Sequence, residues 1–225
     1  VASALIAPSK PVRSFFHTNK STCHEWLSRN RNAVVAVALH AGMASSAVRH
    51  GYTLLQDLLD LGNTKGSEFE NAVLQVAWAL LKLRQSEPIQ GLYVWCRDII
   101  GIKLPCLKAM AEQAAGKLET AVESYMKLIH NESLESPTRH LVAEHSTDVS
   151  HSAKTLVADQ ITECYLALQD WTELARWKAS EAELLANQNG GSSLRYKYVT
   201  EKDAEALVEF EKEDYTAASK LLAAV

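Results

Sequence analysis

Apolar residues recur along this chain at the three- and four-residue spacing that gives a helix one apolar face. From Phe69 onward the apolar positions are 69, 72, 73, 76, 77, 80 and 81, which predicts a helix buried on one side. Ser67 and Glu70 have the spacing of a capping box at its start. The same apolar spacing recurs over residues 118–129 and 157–168, and no segment shows the convincing alternation of a strand. The pattern predicts an all-α protein.

Five turns between predicted helices share one arrangement. A residue that opens the second helix is followed, three positions later, by one that lets the two helices pack closely. The clearest examples are Gly116-Lys117-Leu118 before Ala121, Gln169-Asp170-Trp171 before Leu174, and Glu213-Asp214-Tyr215 before Ala218. Two looser examples open at residue 44, after Gly42, and at Pro88, which we expect in the first turn of a helix. At Gly116 we expect close-packed surroundings with no room for a large side chain.

The spacing of these turns indicates an irregular repeat. Their opening positions, 44, 88, 118, 171 and 215, are separated by 44, 30, 53 and 44 residues, which excludes a regular array of about 34 residues per repeat. Residues 131–152 are rich in Ser, Thr and His, and we interpret them as a loop or mobile insertion; residues 187–193 form a second break. We predict a right-handed α-solenoid of irregular TPR/HEAT-like helix pairs, one continuous segment over residues 1–225.

Composition narrows the class of protein without indicating a site. Hydrophobic residues make up 47% and charged residues 22% of the chain, a balance that excludes a wholly disordered chain, a collagen and a disulfide scaffold. The net charge of −4 is too small to imply nucleic acid or an anionic membrane as an obligatory partner. The four cysteines never form a Cys-x-x-Cys pair, so we expect free thiols in an intracellular protein. Because the chain stops at Val225 inside an apolar helical pattern, we expect it to be a fragment of a longer chain.

One basic segment is the candidate for recognition. Lys20, His24 and Arg31 are separated by four and seven residues, so they share one face of a continuous helix. We assign Lys20, Arg29 and Arg31 to contact with an anion or a partner, because clustered cations attract anionic groups. The alternative interpretation is a solvated outer face of a helix.

The other candidate residues do not indicate a metal, catalytic or cofactor site. Four histidines surround the predicted insertion, but their spacing matches no compact zinc motif, and we predict no metal site; they are His130, His140, His145 and His151. The adjacent pair Cys23-His24 gives no sign of a catalytic thiol. Phosphate-binding and kinase motifs such as Gly-x-x-x-x-Gly-Lys-Ser/Thr, His-Arg-Asp and Asp-Phe-Gly are missing, so we predict no catalytic residue and no cofactor site here. We assign Trp78 and Trp95 to the core and do not expect RNA binding.

An ordered set of short motifs resembles a known family. The motifs are Phe15-Phe16-His17-Thr18-Asn19, Thr22-Cys23 with Trp26-Leu27, Val48-Arg49-His50-Gly51, Ile89-Gln90-Gly91 with Val94-Trp95, Ala111-x-Gln113-Ala114-x-Gly116, and Glu163-Cys164-Tyr165 with Asp170-Trp171. In this order they resemble the FAT region of the phosphatidylinositol-3-kinase-related protein kinases, and most of all the members that act in nonsense-mediated mRNA decay. The resemblance covers residues 12–215, nearly the whole chain.

The resemblance implies a non-catalytic α-solenoid scaffold that wraps a Ser/Thr kinase domain of the same parent chain. It implies Mg-ATP as cofactor of that kinase, inositol hexakisphosphate as a candidate ligand, and accessory decay-complex subunits as partners. The implied substrate is the decay helicase, phosphorylated at Ser or Thr followed by Gln. The implied location is the cytoplasm, with the nucleus as a second site, and no membrane. The alternative is a stand-alone helical-repeat adaptor for peptides or RNA-decay factors; a phosphotransferase domain downstream in the reading frame would decide for the kinase.

Overall fold

The computed structural model describes residues 18–130, 151–186 and 200–223. These residues form eleven α-helices and no strand, which confirms the all-α prediction. None of the described helices is long and apolar enough to cross a membrane. The chain divides into two compact units, Val1–Val76 and Ala77–Val225, and the expectation of one continuous segment stays a prediction.

The first unit is built from short helices joined by tight connections. They are α1 (Lys20–Arg29), α2 (Arg31–His40), α3 (Ala44–Asp60) and the first part of α4 (Ser67–Lys82). Helix α1 packs on α2, and α2 packs on α3. On α3, a Cβ atom added to Gly51 would lie 2.5 Å from Cγ2 of Val76 on α4. The absence of a side chain at Gly51 therefore sets how closely α3 and α4 approach.

In the second unit, each helix packs on the next one along the chain. Helix α5 (Ser86–Trp95) continues as a π-helical turn, Cys96–Ile100, and is followed by α6 (Cys106–Ala114), α7 (Leu118–His130), α8 (His151–Leu168), α9 (Trp171–Ala186), α10 (Glu201–Glu211) and α11 (Tyr215–Ala223). Every consecutive pair from α5 to α11 is in contact, and α6 also contacts α8. The core of this unit is therefore made by sequential neighbours.

The five predicted turns have the same backbone geometry. In each, one residue of left-handed conformation, with φ between 54° and 82°, stands two positions before the next helix; these residues are Gly42, Arg84, Gly116, Gln169 and Glu213. At the third turn, the Gly116 N–H donates to the carbonyl of Gln113 at 2.9 Å and the Lys117 N–H donates to that of Glu112 at 3.0 Å. The other four turns repeat both bonds. This pairing is the Schellman motif, which satisfies the last carbonyls of the preceding helix.

The turn predictions are confirmed at four of the five positions. Helices begin at 44, 118, 171 and 215 as predicted, whereas the second turn opens at Ser86 because α5 starts two residues before Pro88. Pro88 lies in the first turn of α5, as expected. The third residue after each helix start is buried at all five turns; these residues are Ala47, Ile89, Ala121, Leu174 and Ala218.

The expectation of close packing around Gly116 is wrong. No atom lies within 4 Å of a Cβ added there, and Gly116 is exposed. What the position requires is its φ of +82°, which glycine adopts without steric cost.

The predicted breaks lie mostly outside the described residues. Residues 131–150 and 187–199 are not described. The last two residues of the predicted insertion, His151 and Ser152, already belong to α8. Helix α10 begins with a capping box in which Thr200 Oγ1 accepts the Asp203 N–H at 3.2 Å, and Asp203 Oδ2 accepts the Thr200 N–H at 2.7 Å. The bond from the Thr200 N–H, followed by one from the Thr200 hydroxyl to the same oxygen at 2.7 Å, lowers the pKa of the Asp203 carboxyl.

Candidate partner-binding surface

Helix α1 carries most of the residues assigned to recognition, and it lies at the surface. None of its ten side chains is buried, and Trp26 is 62% exposed. A shallow open groove runs along the helix and is lined by Thr18, Lys20, Ser21, His24, Glu25 and Ser28. The lining places a carboxylate beside the cationic side chain, so the groove does not present a uniformly positive surface.

Lys20 and Arg29 do not form one patch on α1. They are nine residues apart, and a helix turns by about 100° per residue, so the two side chains leave the helix on opposite sides. Arg29 also forms an ion pair with Glu25, one turn earlier, and both side chains are well exposed. Exposed pairs of this kind contribute little to folding.

Arg31 is a buried structural residue. It begins α2 and is only 4% exposed, and its Nε donates to Asp57 Oδ2 on α3 at 3.0 Å. Ser28 Oγ, at the end of α1, donates to the same oxygen at 3.3 Å. One carboxylate therefore joins three helices, which gives the guanidinium of Arg31 a role in packing rather than in contact with a free ligand.

Positive charge is concentrated beside this ion pair. His50 lies on α3, and partial burial, followed by the charges of Arg49 and Arg31, lowers its pKa. The imidazole of His50 is thereby kept neutral at neutral pH, since a third cation beside Arg49 and Arg31 would be repelled.

The structure does not bring the three assigned residues together. The expectation that Lys20, His24 and Arg31 share one helix face is wrong, because Asn30 separates α1 from α2. Arg31 is covered and paired, while Lys20 and Arg29 are exposed on different sides. Contact of Lys20 and Arg29 with an anion or a partner stays a prediction.

The described histidines and cysteines form no metal site. Within residues 18–130, 151–186 and 200–223, no group of three His, Cys, Asp or Glu side chains is arranged to hold a metal ion. Of the four predicted loop histidines, His130 is exposed at the end of α7, and the other side chains lie outside the described set. The four cysteines are free thiols, as predicted. Burial raises the pKa of Cys96 and of Cys164 to about 12, so these thiols are poor nucleophiles.

The tryptophans differ in burial more than predicted. Trp78 and Trp95, assigned to the core, are each only partly buried. Trp177 is the best buried, at 2% exposure, and its indole N–H donates to Thr162 Oγ1 at 3.1 Å. This hydrogen bond ties α9 to α8 and satisfies the polar atom of the buried ring.

Sequence reasoning missed a polar cluster between α6, α7 and α8, in which Tyr125 and Gln160 are buried and Gln113 is partly buried. The Tyr125 hydroxyl donates to Gln113 Oε1 at 2.7 Å, and Gln113 Nε2 donates to Gln160 Oε1 at 3.1 Å. Burial raises the pKa of Tyr125, which keeps the hydroxyl a proton donor. The signal that could have found it is Gln113 itself, a polar residue between the buried Ala111 and Ala114.

Comparison with known proteins identifies the relatives of this chain. A family model described as "Serine/threonine-protein kinase smg-1" matches residues 1–215. The serine/threonine-protein kinase SMG1 of Danio rerio is 32% identical over 247 aligned positions, covering 96% of this chain and 7% of that protein. Serine/threonine-protein kinase Smg1 of Drosophila melanogaster is 28% identical over 180 positions, covering 80% of this chain and 5% of its own length.

This chain thus spans only a small part of the length of its relatives. The match extends through both compact units and includes α1, the polar cluster and the described turns. The chain belongs to the SMG1 family of serine/threonine-protein kinases, which are phosphatidylinositol-3-kinase-related kinases.

Proposed function

We propose that this chain is a non-catalytic scaffold segment of a serine/threonine-protein kinase that acts in nonsense-mediated mRNA decay. The observation that carries the proposal is membership of the SMG1 family by a chain that covers 7% of a full relative and is helical in all its described parts. In this proposal the segment supports and restrains a kinase domain located elsewhere in the parent protein.

The helix contacts support a right-handed α-solenoid of irregular TPR/HEAT-like pairs. In such arrays each helix packs mainly on its chain neighbours and on the helix two places along. The second unit has sequential contacts from α5 to α11 and a contact between α6 and α8. The same turn recurs five times with a buried residue three positions into the next helix. These features favour a repeat whose units differ in length but share one connection.

The polar cluster of Tyr125, Gln113 and Gln160 supplies the stiffness that a scaffold needs. Tyr125, Gln113 and Gln160 connect three helices through directed hydrogen bonds, which fix the relative rotation of the helices more strictly than apolar contact does.

The partners and cofactors follow from the same proposal. The segment contacts the kinase domain of its own chain, and through the parent protein it belongs with accessory decay subunits and the decay helicase. Mg-ATP binds the kinase domain, and inositol hexakisphosphate is a candidate ligand of the helical region. The protein acts in the cytoplasm, with the nucleus as a second site.

The test compares two substitutions on α7 in the full-length kinase. Tyr125→Ala removes a side chain at the centre of the cluster, whereas Lys127→Gln changes an exposed residue two positions away whose side chain is 72% accessible. We expect Tyr125→Ala to lower kcat/KM for a Ser-Gln peptide several-fold and to leave the KM for ATP unchanged, because the ATP site itself is intact.

Lys127→Gln should leave both constants at the wild-type value. Undiminished peptide phosphorylation by a Tyr125→Ala kinase whose α6–α8 layer is shown by hydrogen exchange to be loosened would contradict a supporting role. The purified 225-residue chain should show no transfer from Mg-ATP to the same peptide, since it carries none of the motifs that hold the nucleotide. Transfer by the chain alone would contradict the non-catalytic assignment.

A further inference from the structure

Helix α5 ends in a π-helical turn, Cys96–Ile100, that lies well inside the second unit. In a π turn the backbone bonds join residues five apart instead of four, so each turn takes about one residue more than in an α-helix. The turn closes at Gly101, whose φ is +82°. Such turns are rare, and many of them lie at functional sites. Here the extra residue changes which side chain faces solvent.

The π turn moves an isoleucine from the core face of α5 to the surface. The buried residues Ile89, Leu92 and Cys96 have the spacing of one helix face. Three residues beyond Cys96, an α-helix would place Ile99 on the same face. In the wider turn it lies elsewhere: Ile99 is 72% exposed, and the next residue, Ile100, is partly buried. An apolar side chain is therefore exposed at a position that the apolar spacing assigns to the core.

The two charged residues of the π turn are engaged with each other. Arg97 donates to the Asp98 carboxylate from Nε at 2.6 Å and from Nη2 at 2.9 Å. The guanidinium also lies over the ring of Tyr93, with Cζ 5.4 Å from the ring centroid. A forked ion pair and a cation–π contact both limit the rotation of the arginine. The charges of Arg97 and Asp98 therefore compensate each other.

Uncompensated positive charge follows the turn. Lys103 lies in the connection to α6 and Lys108 in the first turn of that helix, and both are exposed. In the part of the chain that the structure describes, neither lysine has an ion pair or a side-chain hydrogen bond. Asp98 is the one acidic residue between positions 88 and 111. Trp95, one turn before Ile99, is partly exposed. We call Trp95, Ile99, Lys103 and Lys108 the π-turn surface.

The composition of this surface favours a protein partner over a lipid or a nucleic acid. Attraction to anionic lipids takes a cluster of about 4–8 basic residues, and nucleic-acid binding rests on many phosphate contacts, whereas the π-turn surface has two free lysines. Apolar and aromatic anchors with charges at their rim are the usual arrangement of a protein interface. The charge that complements two lysines on the partner is acidic.

The described residues also contain no strand whose edge could pair with an extended peptide. Affinity for a partner must therefore come from side chains, as when an amphipathic helix lies on an apolar surface. We propose that the π-turn surface binds an acidic amphipathic helix of a second protein, with Ile99 as the apolar anchor and Lys103 and Lys108 as partners of its carboxylates. The proposal goes beyond the scaffold role and does not depend on it.

Fluorescence anisotropy with the full-length kinase tests the surface. The probe is a labelled peptide of about 18 residues, long enough to form a helix, with Leu at helical spacing flanked by Glu. The reference peptide has Gln in place of every Glu. We expect the Glu peptide to bind about tenfold more tightly, and salt to weaken its binding but not that of the Gln peptide. Ile99→Ser should weaken binding of the Glu peptide about tenfold.

Matched variants separate the anchor from the charges. Leu61→Ser is the control for Ile99→Ser, because Leu61 is 79% exposed but belongs to the first unit; it should leave binding of the peptide unchanged. Lys103→Glu combined with Lys108→Glu should reverse the preference, so that a Lys version of the peptide binds more tightly than the Glu version. All the replaced side chains are exposed, so the melting temperature should stay at the wild-type value.

Equal binding of the Glu and Gln peptides, or of the Glu peptide by wild-type and Ile99→Ser kinase, would overturn the proposal, as would no binding of either peptide. Phosphatidylserine vesicles and a single-stranded RNA are titrated in parallel. Tighter Ile99-dependent binding to either of them would assign the surface to a lipid or a nucleic acid instead, and Ile99-dependent self-association would assign it to a second copy of the chain.

The two proposals fail in different measurements. The peptide titration contains no phosphorylation step, so the π-turn surface can fail while Tyr125→Ala still lowers kcat/KM. Conversely, a kinase whose peptide phosphorylation ignores Tyr125→Ala loses the scaffold role and keeps the binding surface.

Discussion

In the α6–α8 layer, the polar side chains of Tyr125 and Gln160 are turned inward, and both are hydrogen-bonded to the partly buried Gln113. In α1 the polar side chains of Lys20 and Arg29 are turned outward and are solvated. The first arrangement specifies how three helices are rotated against each other, because each hydrogen bond has a direction. The second keeps the charged side chains of α1 in water and contributes little to how α1 is held against its neighbours.

Arg31 belongs with the interior although it lies two residues from Arg29 in sequence. Its guanidinium is paired with Asp57 and covered, whereas that of Arg29 pairs within its own helix and is 75% exposed. From this difference we expect burial, and not residue type, to decide which polar groups stabilise the fold. The following substitutions test that rule in order of decreasing effect.

The largest effect should come from the centre of the polar cluster. Tyr125→Ala in the 225-residue chain should lower the free energy of unfolding by about 3–5 kcal/mol, because a fully buried ring leaves a cavity. Tyr125→Phe removes only the hydroxyl and should cost about 1–2 kcal/mol, since Gln113 loses a hydrogen-bond donor. Urea unfolding followed by circular dichroism measures both. A cost below that of Tyr125→Phe in the alanine variant would mean that the layer collapses around the gap.

Arg31→Ala should be the second most damaging change. It leaves Asp57 without its guanidinium partner, and we expect a loss of about 2–3 kcal/mol, less than for a fully buried pair because Asp57 remains partly exposed. The matched control is Arg29→Ala, two residues away, which should cost less than about 0.5 kcal/mol.

For the same reason, replacing Lys20, Arg29 and Arg31 together should destabilise the fold, because Arg31 is buried and paired with Asp57. A double variant with Asp57→Ala should recover part of the loss. Equal costs for Arg29→Ala and Arg31→Ala would contradict the distinction between the two arginines.

Replacing the left-handed glycine of a turn should lower the free energy of unfolding by the same amount in the first unit and in the second. Gly42→Ala and Gly116→Ala place a side chain in a left-handed conformation with open space around it, at φ +71° and +82°. Each should cost about 1 kcal/mol, whether the turn joins surface or interior helices. Gln169→Gly is the reverse control, because it relieves the same strain at φ 58° and should not destabilise the chain. A much larger cost at Gly116 would restore the idea that packing demands glycine there.

The reactivity of the native cysteines should distinguish the α6–α8 layer from α1 without any substitution. Cys164 lies in the α6–α8 layer with its pKa raised to about 12, whereas Cys23 on α1 is partly exposed. At pH 8 a thiol reagent should label Cys23 in the folded chain and spare Cys164, with all four thiols reacting in denaturant. Because the folded pKa of Cys164 is raised, its contribution to stability is present below pH 9 and is lost as the pH rises towards 12. Early labelling of Cys164 would show that the layer opens readily.

The smallest effect is expected from the exposed cations. Lys20→Gln with Arg29→Gln should change the free energy of unfolding by less than about 0.5 kcal/mol. If these residues contact a polyanion, the double variant should bind inositol hexakisphosphate more weakly and with a flatter salt dependence. Calorimetric titration at two salt concentrations measures this, and identical binding by variant and parent would leave the two residues as a solvated face.

Periodicity predicted the helices well because it depends on local spacing. The apolar rhythm from Phe69 predicted the buried face of α4, and four helix starts were placed correctly from the turn pattern. The fifth was placed two residues late, since Pro88 is accepted at more than one position of a first turn and the sequence does not show which. The reason for Gly116 was also predicted wrongly. A sequence does not distinguish a glycine that is needed because a side chain would clash from one that is needed because its φ is positive.

The candidate site was harder to predict because its contacts are distant in sequence. Arg31 is 26 residues from Asp57, and no spacing rule links them. The helix break at Asn30 could not be predicted either, because a polar residue between two helical stretches is compatible with one long helix. The sequence also did not indicate that Leu222 on α11 is exposed. The equivalent residue of α7, likewise seven positions after the start of its helix, is the buried Tyr125.

The helix ends of this protein are set by local bonds, the Schellman turns at one end and the Thr200–Asp203 capping box at the start of α10. A helix that starts and stops on its own signals does not depend on the length of the chain that leads to it. Such a helix pair should tolerate insertions next to it, and the Danio rerio relative does carry inserted residues, since its alignment has 247 positions against a chain of 225 residues. Helix pairs with these boundaries can therefore act as exchangeable units. The loops beside them can be lengthened, and the pairs themselves can be moved or recombined, in evolution or by protein engineering.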